Sequence, residues 1–288
     1  MDAEKNRRKP IEVTFWGVRG SLPVANPSVE NFGGNTACVQ VQIEKEQYIF
    51  DAGSGIYPLG LKLLSTEEEK TSKIHLFLSH VHWDHLMGFP YFQPFYNASS
   101  QIAIYGERKQ DKSIRQLLEG LMTAPYFPVP LHKLPAQLDF IDIGKEEKID
   151  LPNQVTVETL ALHHPNGCLA YRLTVGNCII CYGTDHEQGT YIDQELIAFA
   201  EGADLLILDG QYEEAEYRGS GDKKNKKGWG HSTWKSAVKI GQKAQVKRLA
   251  LFHHDQLRSD GDLEEIEKEA QEQFPQAFCA REGMTIRL

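Results

Sequence analysis

Three histidines and one aspartate stand within six positions of this chain, at His80, His82, Asp84 and His85. The apolar residues 74–78 before them are typical of a buried strand, and the residues after them of one helical turn that a proline ends. Side chains two apart on an extended segment point the same way, so His80 and His82 can converge on one ion, while Asp84 and His85 face a second point. Imidazole and carboxylate donors together suit zinc, manganese or iron, so the cluster predicts a metal centre.

The composition places few limits on the fold and more on the partners. The chain has 288 residues, of which 41% are hydrophobic and 25% charged, an ordinary globular balance with ample length for a large core. We expect a single domain over residues 1–288. The formal net charge of -9 makes long nucleic acid an unlikely partner but leaves a small anionic substrate open.

The cysteines and the apolar runs indicate where the protein resides. Five scattered cysteines do not form a disulfide framework, and Cys178 and Cys181 fall inside an apolar strand, where buried thiols are expected rather than a zinc site. Residues 1–10 are charged and lack the apolar centre of a signal peptide. No run approaches the ~18 apolar residues that span a bilayer. We therefore expect a cytoplasmic protein with reduced thiols and no membrane contact.

Strand and helix patterns alternate in both halves of the chain. Within the first half, residues 65–73 have the composition of a solvated linker. Two β-rich halves, each covered by helices, predict an α/β fold arranged as an αββα four-layer sandwich. The predicted strands are residues 11–17, 37–43, 48–51, 74–78, 102–105, 155–162, 169–175, 178–182, 204–208 and 248–252. The predicted helices are residues 56–64, 111–122, 192–200, 232–242 and 263–273.

Three further histidine and aspartate clusters follow predicted strands directly: His163-His164, Asp185-His186 and His253-His254-Asp255. Loops at strand ends are where layered α/β enzymes place their chemistry. A lone histidine at such a place is more often structural. Four clusters in one chain instead predict that the strand ends meet around one site.

The pattern His80-x-His82-x-Asp84-His85 resembles the signature of the metallo-β-lactamase fold, a superfamily of mostly dinuclear metal hydrolases. The tRNase Z branch of that superfamily carries a histidine seven residues before the tyrosine of a Gly-Tyr-Arg strand. Tyr171-Arg172 matches this strand, with Ala170 in the glycine place, and counting back selects His164 over His163.

The same resemblance implies that Asp185 bridges two ions and that His253, ahead of His254, is the last ligand. We expect two divalent ions, with zinc favoured and manganese as an alternative. The implied ligands are His80, His82 and His164 for one ion and Asp84, His85 and His253 for the other, with Asp185 shared.

The stretch Gly230-His231-Ser232-Thr233-Trp234 resembles the His-Ser-Thr motif of the tRNase Z and cyclic phosphodiesterase branch. The resemblance implies that His231 contacts phosphate and protonates the leaving oxygen, a step that suits imidazole because its pKa lies near neutral pH. Asp84 and His231 are thus the predicted catalytic residues. The alternative is that His231 merely precedes a helix that Ser232 caps. Asp209 loosely matches an acidic residue that orients the histidine in relatives.

The glycine-rich stretches at residues 15–21, 33–36 and 228–231 resemble a bacterial and phage branch that contains cyclic nucleotide phosphodiesterases, some of which destroy signals of antiphage defence. Relatives in this branch are homodimers, so we expect a homodimer. The tRNase Z enzymes grip tRNA with a long arm beside the equivalent of Asp185, and no such arm is visible here. We therefore predict a dinuclear metal-dependent phosphodiesterase that hydrolyses small cyclic nucleotides.

Three features leave alternatives open. Tyr126 and Phe127, in the proline-broken loop 124–130, are predicted to stack on the substrate base, or else to fill core. The lysines of residues 223–227 form a solvated loop or a rim that attracts phosphate. The glycines of residues 33–36 are typical of a turn, or else let the backbone approach a ligand. The alternative functions are a phosphoribosyl cyclic phosphodiesterase, a tRNA 3′-end endonuclease and a di-iron redox or oxygen sensor.

Overall fold

The structure, a computed structural model, describes residues 10–65, 73–221 and 224–288. Residues 1–9 lie outside it, as do residues 66–72 of the predicted linker. The described chain forms two seven-stranded sheets that face each other, with helices on both outer faces. This is the αββα sandwich that the sequence predicts. The prediction of one domain over residues 1–288 stays a prediction.

The first half of the chain builds the first sheet, which the last strand of the chain completes. Strands β14, β1, β2 and β3 pair antiparallel, and β3, β4, β5 and β6 pair parallel. These strands are β1 (Ile11–Gly17), β2 (Cys38–Ile43), β3 (Glu46–Phe50), β4 (Lys73–Phe77), β5 (Gln101–Glu107), β6 (Gln137–Ile143) and β14 (Thr285–Arg287).

The second sheet repeats this arrangement. Strands β7 to β10 pair antiparallel, and β10 to β13 pair parallel. These strands are β7 (Lys148–Leu151), β8 (Val155–Leu162), β9 (Cys168–Val175), β10 (Cys178–Gly183), β11 (Leu205–Asp209), β12 (Leu249–Phe252) and β13 (Ala277–Cys279).

In the part of the chain that the structure describes, seven α-helices connect these strands, and sequence signals that start two of them are visible. Ser113 and Ser259 close capping boxes before α3 and α7, which is why these helices begin at residues 114 and 260. The helices are α1 (Ile56–Leu63), α2 (Trp83–Leu86), α3 (Ile114–Leu121), α4 (Ile192–Phe199), α5 (Glu214–Arg218), α6 (Trp234–Lys243) and α7 (Asp260–Gln273). Short 3-10 helices cover Pro27–Val29, Phe89–Tyr91, Gln93–Tyr96, Leu131–Lys133 and Pro152–Gln154.

Three apolar layers hold the sandwich together. The alternate residues Val13 and Phe15 of β1 enter the layer between the two sheets, because neighbouring side chains of a strand point to opposite faces. Strands β11 and β12 are buried along their whole length, as is usual for parallel strands covered on both faces. Helices α1 and α3 pack on the first sheet, and α4, α6 and α7 pack on the second.

The structure adds elements that the sequence patterns did not predict: β6, β7, β13, β14 and α5. Strand β6 forms one edge of its sheet and is only partly buried, so its apolar pattern is weak. The other four contain three to five residues each, too few for a periodic signal. No helix of the described chain is long and apolar enough to cross a membrane. None of the five cysteines forms a disulfide bond.

The carboxyl ends of the central strands of both sheets meet at one edge of the sandwich, and hydrogen bonds join the sheets there. The hydroxyl of Tyr171 donates to the Leu78 carbonyl at 2.6 Å, and the Leu169 amide donates to the Ser79 carbonyl at 2.9 Å. The hydroxyl of Tyr182 donates to Asp51 Oδ2 at 2.7 Å. These bonds fix the loops that follow β3 and β4 against β9 and β10.

Candidate metal centre

The structure brings all seven predicted ligand residues together at this edge. They come from the loops that follow β4, β8, β10 and β12 and from the first turn of α2, which belong to both sheets. Asp185 and His253 have positive φ angles of 50° and 59°, a backbone conformation that costs a non-glycine residue about 1–2 kcal/mol. A strained backbone conformation persists only where the surrounding fold holds it in place, and such residues are concentrated at functional sites.

Four of these residues, all buried, form a compact set: Asp84, His85, Asp185 and His253. The Nε2 atoms of His85 and His253 lie 3.2 Å apart. Asp84 Oδ2 lies 3.3 Å from the first of these nitrogens and 3.2 Å from the second. Asp185 Oδ1 lies 3.2 Å and 3.1 Å from the same two atoms.

The other oxygen of Asp185 faces the second set, which contains His80, His82 and His164. Asp185 Oδ2 lies 3.5 Å from the Nε2 atoms of both His80 and His164. His82 presents its Nδ1 atom, 3.1 Å from His164 Nε2. The Nε2 atom of His80 is buried and has no hydrogen-bond partner among the described residues. A buried polar atom without a hydrogen-bond partner is energetically costly, so this nitrogen is a candidate for binding a metal ion.

The donor atoms fit two divalent cations. Zinc binds nitrogen and oxygen at about 2.0–2.1 Å, and in a tetrahedron neighbouring donors are then about 3.3–3.4 Å apart. The separations in both sets, 3.1 Å to 3.5 Å, lie close to this value. The donor chemistry, imidazole with two carboxylates, suits the same ions.

The pKa values of His80, His82, His164 and Asp185 agree with a set of cation ligands. Burial lowers the pKa of His80 and His82, and it lowers that of His164 to about 4. Their lone pairs are therefore free to bind a cation at neutral pH. Burial raises the pKa of Asp185, but the neighbouring histidines, His253 first and then His85, outweigh it and hold that pKa below its usual range. Burial lowers the pKa of His85, but the charges of the carboxylates around it outweigh burial and raise that pKa, so a cation must displace a proton there.

Asp51, which the sequence analysis did not select, holds His85 from behind. Its Oδ2 atom lies 2.8 Å from His85 Nδ1 and accepts from the hydroxyls of Ser79 at 2.8 Å and Tyr182 at 2.7 Å. Its Oδ1 atom accepts from the Ser79 amide at 2.7 Å. The arrangement leaves the other ring nitrogen of His85 to face the cluster, as carboxylates behind metal-binding histidines do. The sequence position of Asp51 could have indicated this role, because Asp51 directly follows β3 as the other clusters directly follow their strands.

The glycine-rich segment after β1 packs under the cluster. The Ser21 amide donates to Asp84 Oδ2 at 2.7 Å. A Cβ atom on Gly20 would overlap the ring of His253. The guanidinium of the fully buried Arg19 donates to the carbonyls of Gly33 at 2.8 Å, Arg258 at 2.8 Å and Asp255 at 3.2 Å. The stretch at residues 15–21 is therefore structural support for Asp84 and His253.

His231 lies against the cluster and is oriented by Asp209. Its Nδ1 atom donates to Asp209 Oδ2 at 2.7 Å, and its ring centroid lies 5.0 Å from that of His253 and 5.3 Å from that of His164. Burial lowers the pKa of His231, but the Asp209 charge and hydrogen bond outweigh it and raise the pKa to about 8. The cap of α6 is Thr233, whose Oγ1 accepts from the Ser236 amide at 3.2 Å, and not Ser232.

Three neighbouring histidines stay outside the cluster. His163 is exposed. His186 is buried, with Nε2 at 2.8 Å from Asp193 Oδ1. His254 has Nε2 at 3.0 Å from the Ala280 carbonyl, and burial lowers its pKa to about 3. The structure thus separates His164 from His163 and His253 from His254, in line with the sequence expectation.

The predicted base-stacking residues lie on the loop after α3. Tyr126 is 84% exposed, while Phe127 packs edge-to-face on Tyr91 with ring centroids 5.6 Å apart. Within the described ranges, no ring contact or hydrogen bond joins either to the cluster. The predicted lysine cluster covers residues 223–227, of which residue 223 lies outside the described residues. Lys226 lies 2.9 Å from Asp255 Oδ2 and packs over the ring of Tyr212, so it is anchored rather than solvated.

Comparisons with known proteins agree with this geometry. A family model described as a beta-lactamase superfamily domain matches residues 47–254. Ribonuclease Z of Methanothermobacter thermautotrophicus is 27% identical over 325 residues, which cover 96% of this chain and 97% of that protein. The metallo-beta-lactamase fold protein YhfI from Bacillus subtilis is 21% identical, with a TM-score of 0.71 and coverage of 98% and 100%. The short form of human tRNase Z is 20% identical, with a TM-score of 0.66 and coverage of 96% and 98%.

Proposed function

The chain belongs to the beta-lactamase superfamily, and from this premise we propose that it is a dinuclear metal-dependent phosphodiesterase that hydrolyses small cyclic nucleotides. Membership confirms the family and the fold that the histidine motif predicted, and with them an enzyme of the metal-dependent hydrolase class. The phosphodiester bond and the cyclic nucleotide are the proposed part.

One observation carries the proposal: an imidazole that holds a proton lies against two sets of cation ligands. Asp209 accepts the Nδ1 proton of His231, so the proton that can leave is the one on Nε2. Both ligand sets have a histidine ring within about 5 Å of the His231 ring, measured between centroids. This placement supports the proposed protonation of a departing ribose oxygen by His231.

The residues that would hold the ions have separate tasks. When bound, two divalent cations polarise a phosphoryl oxygen and lower the pKa of water. His80, His82 and His164 would hold one ion, and Asp84, His85 and His253 the other, with Asp185 shared between them. Six of these seven side chains are buried and His82 is half-buried, and a site of low solvent exposure strengthens the electrostatic stabilisation of the transition state.

The short connections around Asp185 support a small substrate. Strand β10 ends at Gly183 and α4 begins at Ile192, while β8 and β9 are joined by residues 163–167 alone. A long tRNA-gripping arm has no room in either connection. The net charge of -9 points the same way, because a protein that binds a long polyanion benefits from a basic surface.

A tRNA 3′-end endonuclease is the second candidate. The observation that favours it is the similarity to proteins named Ribonuclease Z along almost the whole chain. The proposed chemistry at His231 is the same in both cases, so the two candidates differ in substrate size and not in mechanism.

Base recognition by Tyr126 and Phe127 stays a proposal. Two indoles lie nearer to the ligands in the chain: Trp83 stands between His82 and Asp84, and Trp229 stands two residues before His231. They are 70% and 58% exposed. Stacking on such rings binds a base without selecting it, at about 1–3 kcal/mol per base. We propose all four side chains as candidates for stacking on the base. We also propose that the bound ion is zinc and that the protein is a homodimer.

A substrate panel tests the proposal. Purified protein loaded with zinc or manganese is assayed on cyclic mono-, di- and trinucleotides, a phosphoribosyl cyclic phosphate and precursor tRNA. We expect turnover of a cyclic nucleotide and its loss in His231→Ala, with wild-type turnover in His132→Ala, which removes an exposed histidine from a 3-10 helix.

Faster cleavage of precursor tRNA than of any cyclic nucleotide would replace the proposal with the second candidate. Full activity of His231→Ala would remove the assigned proton donor. Bound iron with a visible absorption band, and no hydrolysis of any substrate, would favour a di-iron sensor.

A further inference from the structure

Glu187 is a buried acidic residue that the proposed mechanism leaves unused. Only 4% of it is exposed. Its Oε1 atom accepts from the Gly228 amide at 2.6 Å and from the Tyr217 hydroxyl at 3.0 Å, and its Oε2 atom accepts from the Gly230 amide at 2.9 Å. Burying a carboxyl group is costly, so three directed donors indicate that this position must be fixed.

The segment that Glu187 holds is the backbone that orients His164. The Gly230 carbonyl, one peptide from the amide that Glu187 binds, lies 2.8 Å from His164 Nδ1 and can only accept a proton from it. His164 is therefore kept in the tautomer whose Nε2 atom faces the cluster. Gly230 has a φ of 89°, and a Cβ atom there would overlap the His164 ring, so the backbone lies directly against the imidazole.

The backbone of Glu187 completes the link. Its amide donates to the His163 carbonyl at 2.7 Å, and Glu187 itself stands two residues after Asp185. One residue thus ties the loops after β8 and β10 to the segment that ends at His231.

We propose that Glu187 is a positioning residue that fixes the segment Gly228–Gly230 and, through the Gly230 carbonyl, the ring of His164. The residue acts mainly on the ion that His80, His82 and His164 would hold, because its hydrogen bonds lead to His164 and, among the described residues, none leads directly to Asp84, His85 or His253. The inference rests on the ligand sets of the proposed function, but metal binding needs no substrate, so a wrong substrate class leaves it standing.

Cobalt(II) titrated into the metal-free, full-length protein tests the proposal, with visible absorption as the readout. His164→Ala and His85→Ala identify the two binding classes, because each removes a ligand of one set. In Glu187→Gln the amide nitrogen faces backbone donors, so one of their bonds is lost. We expect the class that His164→Ala abolishes to weaken ~10- to 100-fold and the other to stay within about twofold.

The matched control is Asp204→Asn. Asp204 also accepts a backbone amide, that of Ile179 at 2.9 Å, but it precedes β11 at the end opposite to Asp209. We expect unchanged cobalt affinities in this variant. Tyr217→Phe removes only the hydroxyl donor to Glu187 and is expected to weaken the His164 class several-fold, which keeps a test available if Glu187→Gln does not fold.

Two results would overturn the proposal. One is wild-type affinity of both classes in Glu187→Gln, or of the His164 class in Tyr217→Phe. The other is an equal loss in both classes with a lowered melting temperature, which is what a merely structural role produces. A wild-type protein that takes up no cobalt would instead contradict the proposed function itself.

Discussion

Replacing Asp209 by asparagine removes the charge that keeps His231 protonated, and the structure sets the size of the effect. The pKa of His231 is raised from 6.5 to about 8, a preference for the imidazolium of about 2 kcal/mol. Burial alone lowers that pKa. Without the Asp209 charge, only the smaller effects of the Asp185 and Asp84 charges still oppose burial, so the pKa of His231 is expected to fall to about 6.5 or below.

A proton donor must be protonated, so the rate falls as the pH rises through its pKa. At pH 7.5 about three quarters of His231 is protonated at a pKa of about 8, and less than about a tenth at 6.5 or below, so turnover should fall roughly eightfold or more. The alkaline limb of the kcat profile should move down by about 1.5 pH units or more. The assay is kcat against pH with the same metal in both proteins.

Asp204→Asn is the control for this prediction. It also replaces an aspartate by asparagine, but Asp204 lies just before β11, at the end of the strand opposite to Asp209 and His231. Its alkaline limb should match that of the wild type. An alkaline limb that stays in place in Asp209→Asn would refute the assignment of His231 as the proton donor that Asp209 controls.

Three further predictions concern the ligands. Gly20→Ala should weaken metal binding and reduce turnover at least ~100-fold, because the added Cβ atom overlaps the His253 ring. The control Gly120→Ala, whose added Cβ atom meets nothing within 4 Å in α3, should be neutral or slightly stabilising. Equal activities of the two variants would contradict the packing of Gly20 against His253. Asp51→Asn should weaken metal binding by ~10- to 100-fold in the class that contains His85, as measured by cobalt titration, and unchanged binding would be at odds with its place behind that ring. Removing metal with a chelator should lower the melting temperature and re-addition of zinc should restore it, because ions that bind only the folded chain stabilise it; an unchanged transition would argue against the site.

The main features of the fold were predictable because they depend on long, strong patterns. Of the strands that carry ligands, β12 is a continuous apolar run and β4 is apolar apart from Lys73 and His75, and the polar cluster after each strand marks its end. The edge strand β6 was missed because it is only partly buried and its apolar residues do not alternate regularly. Strands β13 and β14 were missed because three residues are too few to show a period. Their positions depend on pairing with distant strands, as β14 pairs with β1.

The candidate site was predictable as far as each residue carries its own local signature. Motif spacing selected His164 over His163, the family resemblance selected His253 over His254, and the structure places both in the cluster. Asp51 and Glu187 escaped because their contacts join segments far apart in the chain: Asp51 meets Tyr182 across the two sheets, and Glu187 binds Gly228 and Gly230. Such partners are set by tertiary packing, and no spacing along the chain reports them.

The most direct test of the account is anomalous X-ray diffraction from crystals of the zinc- or manganese-loaded protein, recorded at the absorption edge of the metal. The account predicts two peaks about 3.5–4 Å apart. One should lie among His80, His82 and His164 and the other among Asp84, His85 and His253, with Asp185 between them. A single peak, or peaks elsewhere on the molecule with this cluster empty, would contradict it.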